Sequence, residues 1–180
     1  MILKFKNSIK ELKSIQNLSL IAMFMAVWIV LVLFVIQVSD SISISFEFVA
    51  VCLVGAMFGP FVGAIFGFFG DLMAYLVNPV GSFFILYAVS VMFDGLIYGF
   101  ILYKNKLGVK RVVFCQIIRD VLTNLILNTI FIHIQTGQDL FILFLFTRLP
   151  KNMIKIPINC VLIVLITRFT QKIFKKNFEI

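Results

Sequence analysis

Charge is the first thing this chain lacks: only 13% of its 180 residues are Asp, Glu, Lys or Arg. Soluble domains carry about a quarter, so little here is available to face water. Histidine occurs once, at His133, which excludes a multi-histidine metal centre. The three cysteines, Cys52, Cys115 and Cys160, are odd in number and match no metal-ligand spacing. They read as small apolar packing residues. No GxxxxGK phosphate loop, no HExxH and no GxSxG occurs in the chain. The expectation is a protein that is not an enzyme and holds no cofactor and no metal. Uphill movement of a solute would have to draw on a partner or on an ion gradient.

What fills the chain instead is apolar: 62% of the residues, with a mean hydropathy of +1.11. Runs of about 20 mostly apolar residues read as transmembrane helices. Six are expected, at 18–38, 46–58, 60–77, 83–103, 112–134 and 153–170. The second and third are short and meet at Gly59–Pro60, which predicts a helical hairpin with a tight turn. Joining them into one bent span would leave five and move the C-terminus across the membrane. The basic residues decide between the two counts. Lys4, Lys6, Lys10 and Lys13 precede the first span, Lys104, Lys106, Lys110 and Arg111 follow the fourth, and Arg168, Lys172, Lys175 and Lys176 follow the last. Six spans put all three clusters on one side, which the positive-inside rule makes the cytoplasm. The net charge of +8 then needs no nucleic acid to explain it.

The expected fold class is thus an all-α integral membrane protein, a bundle of six transmembrane helices with cytoplasmic N- and C-termini. Residues 1–17 space Ile2, Phe5, Ile9 and Leu12 at helical intervals among lysines and should form an interfacial amphipathic helix. A cleavable signal peptide is not expected, because the apolar segment that follows is too long for one. Residues 18–170 would be the membrane unit and 171–180 a basic cytoplasmic tail, with no soluble domain appended.

Ionisable residues at membrane depth are costly and usually face a bundle interior or a polar cavity. Asp71 lies in the third span with Tyr75 one turn on, on the same face. In the fifth span Gln116, Asp120, Asn124 and Asn128 recur every four residues, with Arg119 and Thr123 beside them. Arg148, Asn152, Lys155 and Asn159 form a second polar face near the sixth span. Neither face can look at lipid, so a cavity between them is expected. Arg119, Asp94 and Asp120 read first as an internal ion-pair group, with Asp71 as an alternative partner for Arg119. Arg148, Lys151 and Lys155 crowd three cations at the outer end of the last span, which suits an anion arriving from outside. Asp40, Glu47 and Asp139 lie on that same side, and Phe46, Phe48, Phe83 and Phe84 near the rim could stack on a ligand.

Small residues form a third pattern. Ala22 and Ala26, Gly55 and Gly59, Gly63 and Gly67, and Gly95 and Gly99 each stand four apart. Such strips let helices approach closely, within one chain or between chains.

In order and spacing these pieces resemble the substrate-binding (S) components of energy-coupling factor transporters, most of all the folate-specific branch. "AMFMA" in the first span has the AxxxA pattern such components present to their membrane coupling subunit. "ISFEFVAVCLVGAMFGPFVGAIFGFFGDLMAYLVNP" resembles the family's second and third helices, and "GLIYGFILY" the end of its fourth. "LNTIFIHIQTG" followed by "RLPKNMIKIPI" resembles the fifth helix and the start of the sixth. After "NPVGSFF" the chain departs from the folate pattern, reading "ILYAVSV" in place of a Pro-Gly-Phe-Thr-like stretch.

The resemblance implies a vitamin-binding subunit in a bacterial cell membrane. It would pass folate or a folate derivative to a transmembrane coupling subunit driven by two ATPases, docking through Ala22 and Ala26. Arg148 and Lys151 would hold the glutamate carboxylates, Asn128 and Asn152 the pterin edge or the glutamate amide, and Asp71 or Glu47 the pterin's donors. Tyr75 or Phe84 would stack on the ring. S components for riboflavin, thiamine or a similar compound share the architecture, and a small ion-coupled carrier is the more distant alternative.

Overall fold

The computed structural model describes residues 2–39, 42–79, 84–105, 108–137, 139–140 and 149–173. It is a helical membrane protein with one short β-hairpin. Helix α1 covers Ile2–Glu11 and α2 covers Ile15–Leu33. Strands β1 (Val35–Ser39) and β2 (Ile42–Ser45) follow. Then come α3 (Phe48–Phe58), α4 (Pro60–Val77) and α5 (Ile85–Leu102). A last long pair completes the bundle: α6 (Val109–Arg119) running through a π-helical segment Asp120–Leu127 into α7 (Asn128–Thr136), then α8 (Leu149–Ile173).

Five of these helical runs are long and apolar enough to cross a bilayer. Helix α3, at 11 residues, is shorter and is buried along its whole length. The first span ends earlier than its hydropathy suggests. Val35 to Ser45 turns back as an antiparallel pair, with Val35 opposite Ser45 and Ile36 opposite Ile44. Its β-branched, alternating sequence favours a pleat over a helix, which adds two strands to the expected all-α class.

The centre of the bundle is the α3–α4–α5 packing, and glycine makes it possible. At Gly59 the chain takes φ +91°, a conformation that side chains rarely tolerate, and Pro60 opens α4 at once. A Cβ on Gly95 would overlap the Gly63 carbonyl of α4, and one on Gly99 would strike the Pro60 backbone. The spaced glycines therefore close helix–helix contacts inside this chain. Trp28 is the anchor for α2: it is buried, stands edge-on to Phe66 at 5.8 Å and packs on Gly70. Ala22 and Ala26 point the other way and are exposed, with Met23, Val27 and Val30 around them.

Helix α1 is tied down rather than loosely laid on a surface. The hydroxyl of Ser8, fully buried, donates to the Phe58 carbonyl (2.6 Å) and accepts from the Val62 N–H (3.1 Å), spanning the Gly59 turn. Lys4 Nζ donates to the carbonyls of Phe100 (3.1 Å) and Tyr103 (2.7 Å), capping the end of α5 where carbonyls lack helical partners. Tyr103 in turn donates to Glu11 at 2.8 Å.

Candidate functional site

A cavity of about 260 Å³ opens between α3, α4, α5, the α6–α7 run and α8. Its polar wall is drawn from every one of these elements. Glu47 and Phe48 come from the start of α3, with Ser45 just before them, and Asp71 from α4. Helix α5 adds Tyr87, Ser90 and Asp94 on one face. Arg119, Thr123, Asn124 and Asn128 face them, and Lys155 and Asn159 of α8 complete the ring.

The π segment explains how one helix supplies so many of these groups. In an α-helix a step of four residues overshoots a full turn by about 40°, so a strict every-fourth stripe spirals away from its target. The wider π turn, bonded i to i+5, rotates the chain back the other way. Gln116, Asp120, Asn124 and Asn128 consequently stay close enough to bond in series. Gln116 Nε2 donates to Asp120 Oδ2 (3.0 Å), Asn124 Nδ2 to Asp120 Oδ1 (2.8 Å) and Asn128 Nδ2 to Asn124 Oδ1 (3.4 Å). Tyr98 donates to Gln116 at 2.6 Å at one end, and Ser90 to Asn128 at 2.7 Å at the other.

Arg119 is the electrostatic hub. Its Nη2 meets Asp94 Oδ2 at 2.5 Å and its Nη1 meets Asp120 Oδ1 at 2.8 Å, with side-chain exposures of 13%, 3% and 1% for the three. Its guanidinium also sits 6.0 Å from the Phe48 ring centroid. The pairing does not neutralise the region. Counted as formal charges, the carboxylates Glu47, Asp71, Asp94 and Asp120 surround the two cations Arg119 and Lys155. Arg119 Nε is buried with no hydrogen-bond partner among the described residues. An acid-rich, amide-studded wall of this kind is suited to a ligand with several N–H donors and a few acceptors.

Of the eight residues expected to contact ligand, three, Glu47, Asp71 and Asn128, line this wall, and so do Phe48, Asp94, Arg119, Thr123, Asn124, Lys155 and Asn159 from the wider polar pattern. Phe84 precedes α5 and lays its ring against Tyr87 at 5.6 Å, one residue removed from the cavity lining. Tyr75 is half-buried on α4, a turn beyond Asp71 and off the wall. Lys151 and Asn152 lie in the first turns of α8, ahead of Lys155, and also stand off the wall; Asn152 is buried. Arg148 lies outside the described residues. Asp94 and Arg119, read from the sequence as an internal ion pair, form that pair and also line the cavity. Asp71 is not among the carboxylates bound by Arg119.

The family of the "ECF transporter, substrate-specific component" matches residues 16–167. A protein named folate transporter FolT from Clostridium novyi is 34% identical over 152 residues, covering 84% of this chain and 88% of its own. One of the same name from Leuconostoc mesenteroides is 29% identical over 146 residues, covering 78% of each. Among solved structures, the crystal structure of FolT bound with folic acid superposes with a TM-score of 0.76 at 26% identity. The overlap covers 85% of this chain and 93% of that one.

Proposed function

The chain belongs to the family of ECF transporter substrate-specific components, and from that premise we propose that it captures folate or a folate derivative from outside the cell. The observation that carries the proposal is the acid-rich cavity itself. A pterin presents an amino group and ring N–H groups, and Asp71 and Glu47 offer the acceptors these need. Asn128 and Asn124 supply mixed donor–acceptor edges, and Tyr87, with Phe84 behind it, a surface for stacking. Arg148 and Lys151, ahead of Lys155 on the chain, would meet the glutamate carboxylates with charge-assisted hydrogen bonds. Asn152 and Tyr75 would support these contacts from just outside the wall.

In the same reading, the chain is one part of a larger machine. Counting α3 and α4 as a hairpin gives six crossings, both termini in the cytoplasm of a bacterial cell and the three basic clusters at the inner surface. The exposed Ala22–Ala26 strip would dock a transmembrane coupling subunit carrying two ATPases. ATP use there would release the vitamin inside.

Calorimetric titration of the purified protein tests the binding site. Folic acid should bind, and Arg148→Ala or Lys151→Ala should weaken it by roughly 10- to 100-fold, as befits a hydrogen bond to a charged group. Pteroic acid, which lacks the glutamate and keeps only its benzoate carboxylate, should be less sensitive than folic acid to both changes and equally sensitive to Asp71→Asn. Unchanged folate affinity in Arg148→Ala would remove the carboxylate clamp.

A further inference from the structure

On the opposite flank of α4 and α5 runs a second concavity, a groove of about 360 Å³ with no polar surface. Phe61, Ile65 and Phe69 of α4 form one bank, Met92 and Leu96 of α5 the other, and Phe5 of α1 closes one end. This closure is built into the fold. Ser8 and Lys4 clamp α1 across the helix ends, and the Phe5 ring stands edge-on to Phe61 at 5.2 Å and stacked towards Phe100 at 6.5 Å. The groove is open on its outer side, where Ile65 and Phe69 remain 37% and 49% exposed.

We propose that this groove is a specific binding site for one acyl chain of an anionic phospholipid, whose headgroup rests on the exposed lysines of α1. Two observations identify the occupant. From Phe61 to Phe69 α4 advances about 12 Å, close to the depth of one leaflet, about 15 Å, so the groove has the reach of one lipid tail. At its closed end the charge is of one sign: Lys6 and Lys10 are exposed on α1, with Lys13 just beyond, while the only acid of α1, Glu11, accepts hydrogen bonds from Tyr103 and Asn17. Leu3 and Ile9, also exposed on α1, fit the same interface. A helix of a partner protein would need no such lysines, whereas a phosphate headgroup does.

The test uses the intact chain in nanodiscs of equal phosphatidylglycerol and phosphatidylcholine, read by native mass spectrometry. One phosphatidylglycerol should be retained in preference to phosphatidylcholine. Lys6→Gln with Lys10→Gln, both at exposed positions, should cut the preference by about fivefold per lysine. Ile65→Trp should lower retention of both lipids by filling the groove. Equal retention by the unaltered chain, or a preference untouched by the double lysine change, overturns the proposal. A photo-crosslinker replacing Ile65 in native membranes should capture one phospholipid mass; capture of a polypeptide, whether a partner or a second copy, also overturns it.

Discussion

Replacing Arg119 by Met removes the cation that bridges Asp94 and Asp120, two carboxylates that are 3% and 1% exposed. Breaking a buried pair from one side costs about 3–5 kcal/mol, because the charge left behind stays desolvated. For a chain of this length each kcal/mol moves a melting midpoint by roughly 2–4 °C, so the expected drop is roughly 6–20 °C. Most of that cost is the stranded acid rather than the lost attraction. Arg119→Met combined with Asp94→Asn and Asp120→Asn should therefore melt well above Arg119→Met alone. Arg119→Lys should fall between, since one ammonium cannot reproduce the two-nitrogen contact. The assay is thermal unfolding in detergent, followed by loss of a monodisperse gel-filtration peak. A midpoint within 2 °C of the parent for Arg119→Met, or a triple variant no better than the single one, would refute the reasoning.

Gly95→Val should disrupt the α4–α5 contact, because its Cβ already overlaps the Gly63 carbonyl; the cost should exceed about 3 kcal/mol. Gly108→Ala, where a Cβ meets nothing within 4 Å, should lose only the roughly 1 kcal/mol of a weakened α6 N-cap and serves as the mild control in the same melting series. Ser8→Ala strands the Phe58 carbonyl and the Val62 N–H, a local loss of about 1–3 kcal/mol. Hydrogen exchange at the Val62 amide should speed up accordingly, and unchanged protection would mean that α1 is not latched there. Ala22→Trp, at an exposed position, should leave the melt within about 0.5 kcal/mol of the parent while abolishing co-purification with the coupling subunit. Normal complex formation would move the docking surface elsewhere.

Hydropathy made the long helices legible, because a lipid environment leaves little choice of spanning structure. It misjudged the end of α2, since a run such as Val35-Ile36-Gln37-Val38 is apolar enough to extend a span and β-branched enough to leave it. The glycine strips announced tight packing, yet four-residue spacing does not name the partner. Gly63 and Gly95 meet one another, while Ala22 and Ala26 stand exposed on α2. The polar stripe from Gln116 to Asn128 was visible, and its strict step of four was itself the unread sign of the π segment. Asp94 and Arg119 were found by the cost of burying them. Treating ion pair and ligand wall as alternatives concealed that they are both. Tyr87 and Ser90 carried no signal at all, being ordinary polar residues whose place on the wall depends on how α5 is rotated.

If the acid-walled cavity holds a folate, the protein should carry one with it out of the membrane. The most direct measurement is to purify the chain from its native membrane, denature it, and identify what it releases by mass spectrometry. A folate should emerge at close to one molecule per chain, reduced several-fold by Asp71→Asn. Release of a different vitamin, or of none after exposure to folate, would contradict it.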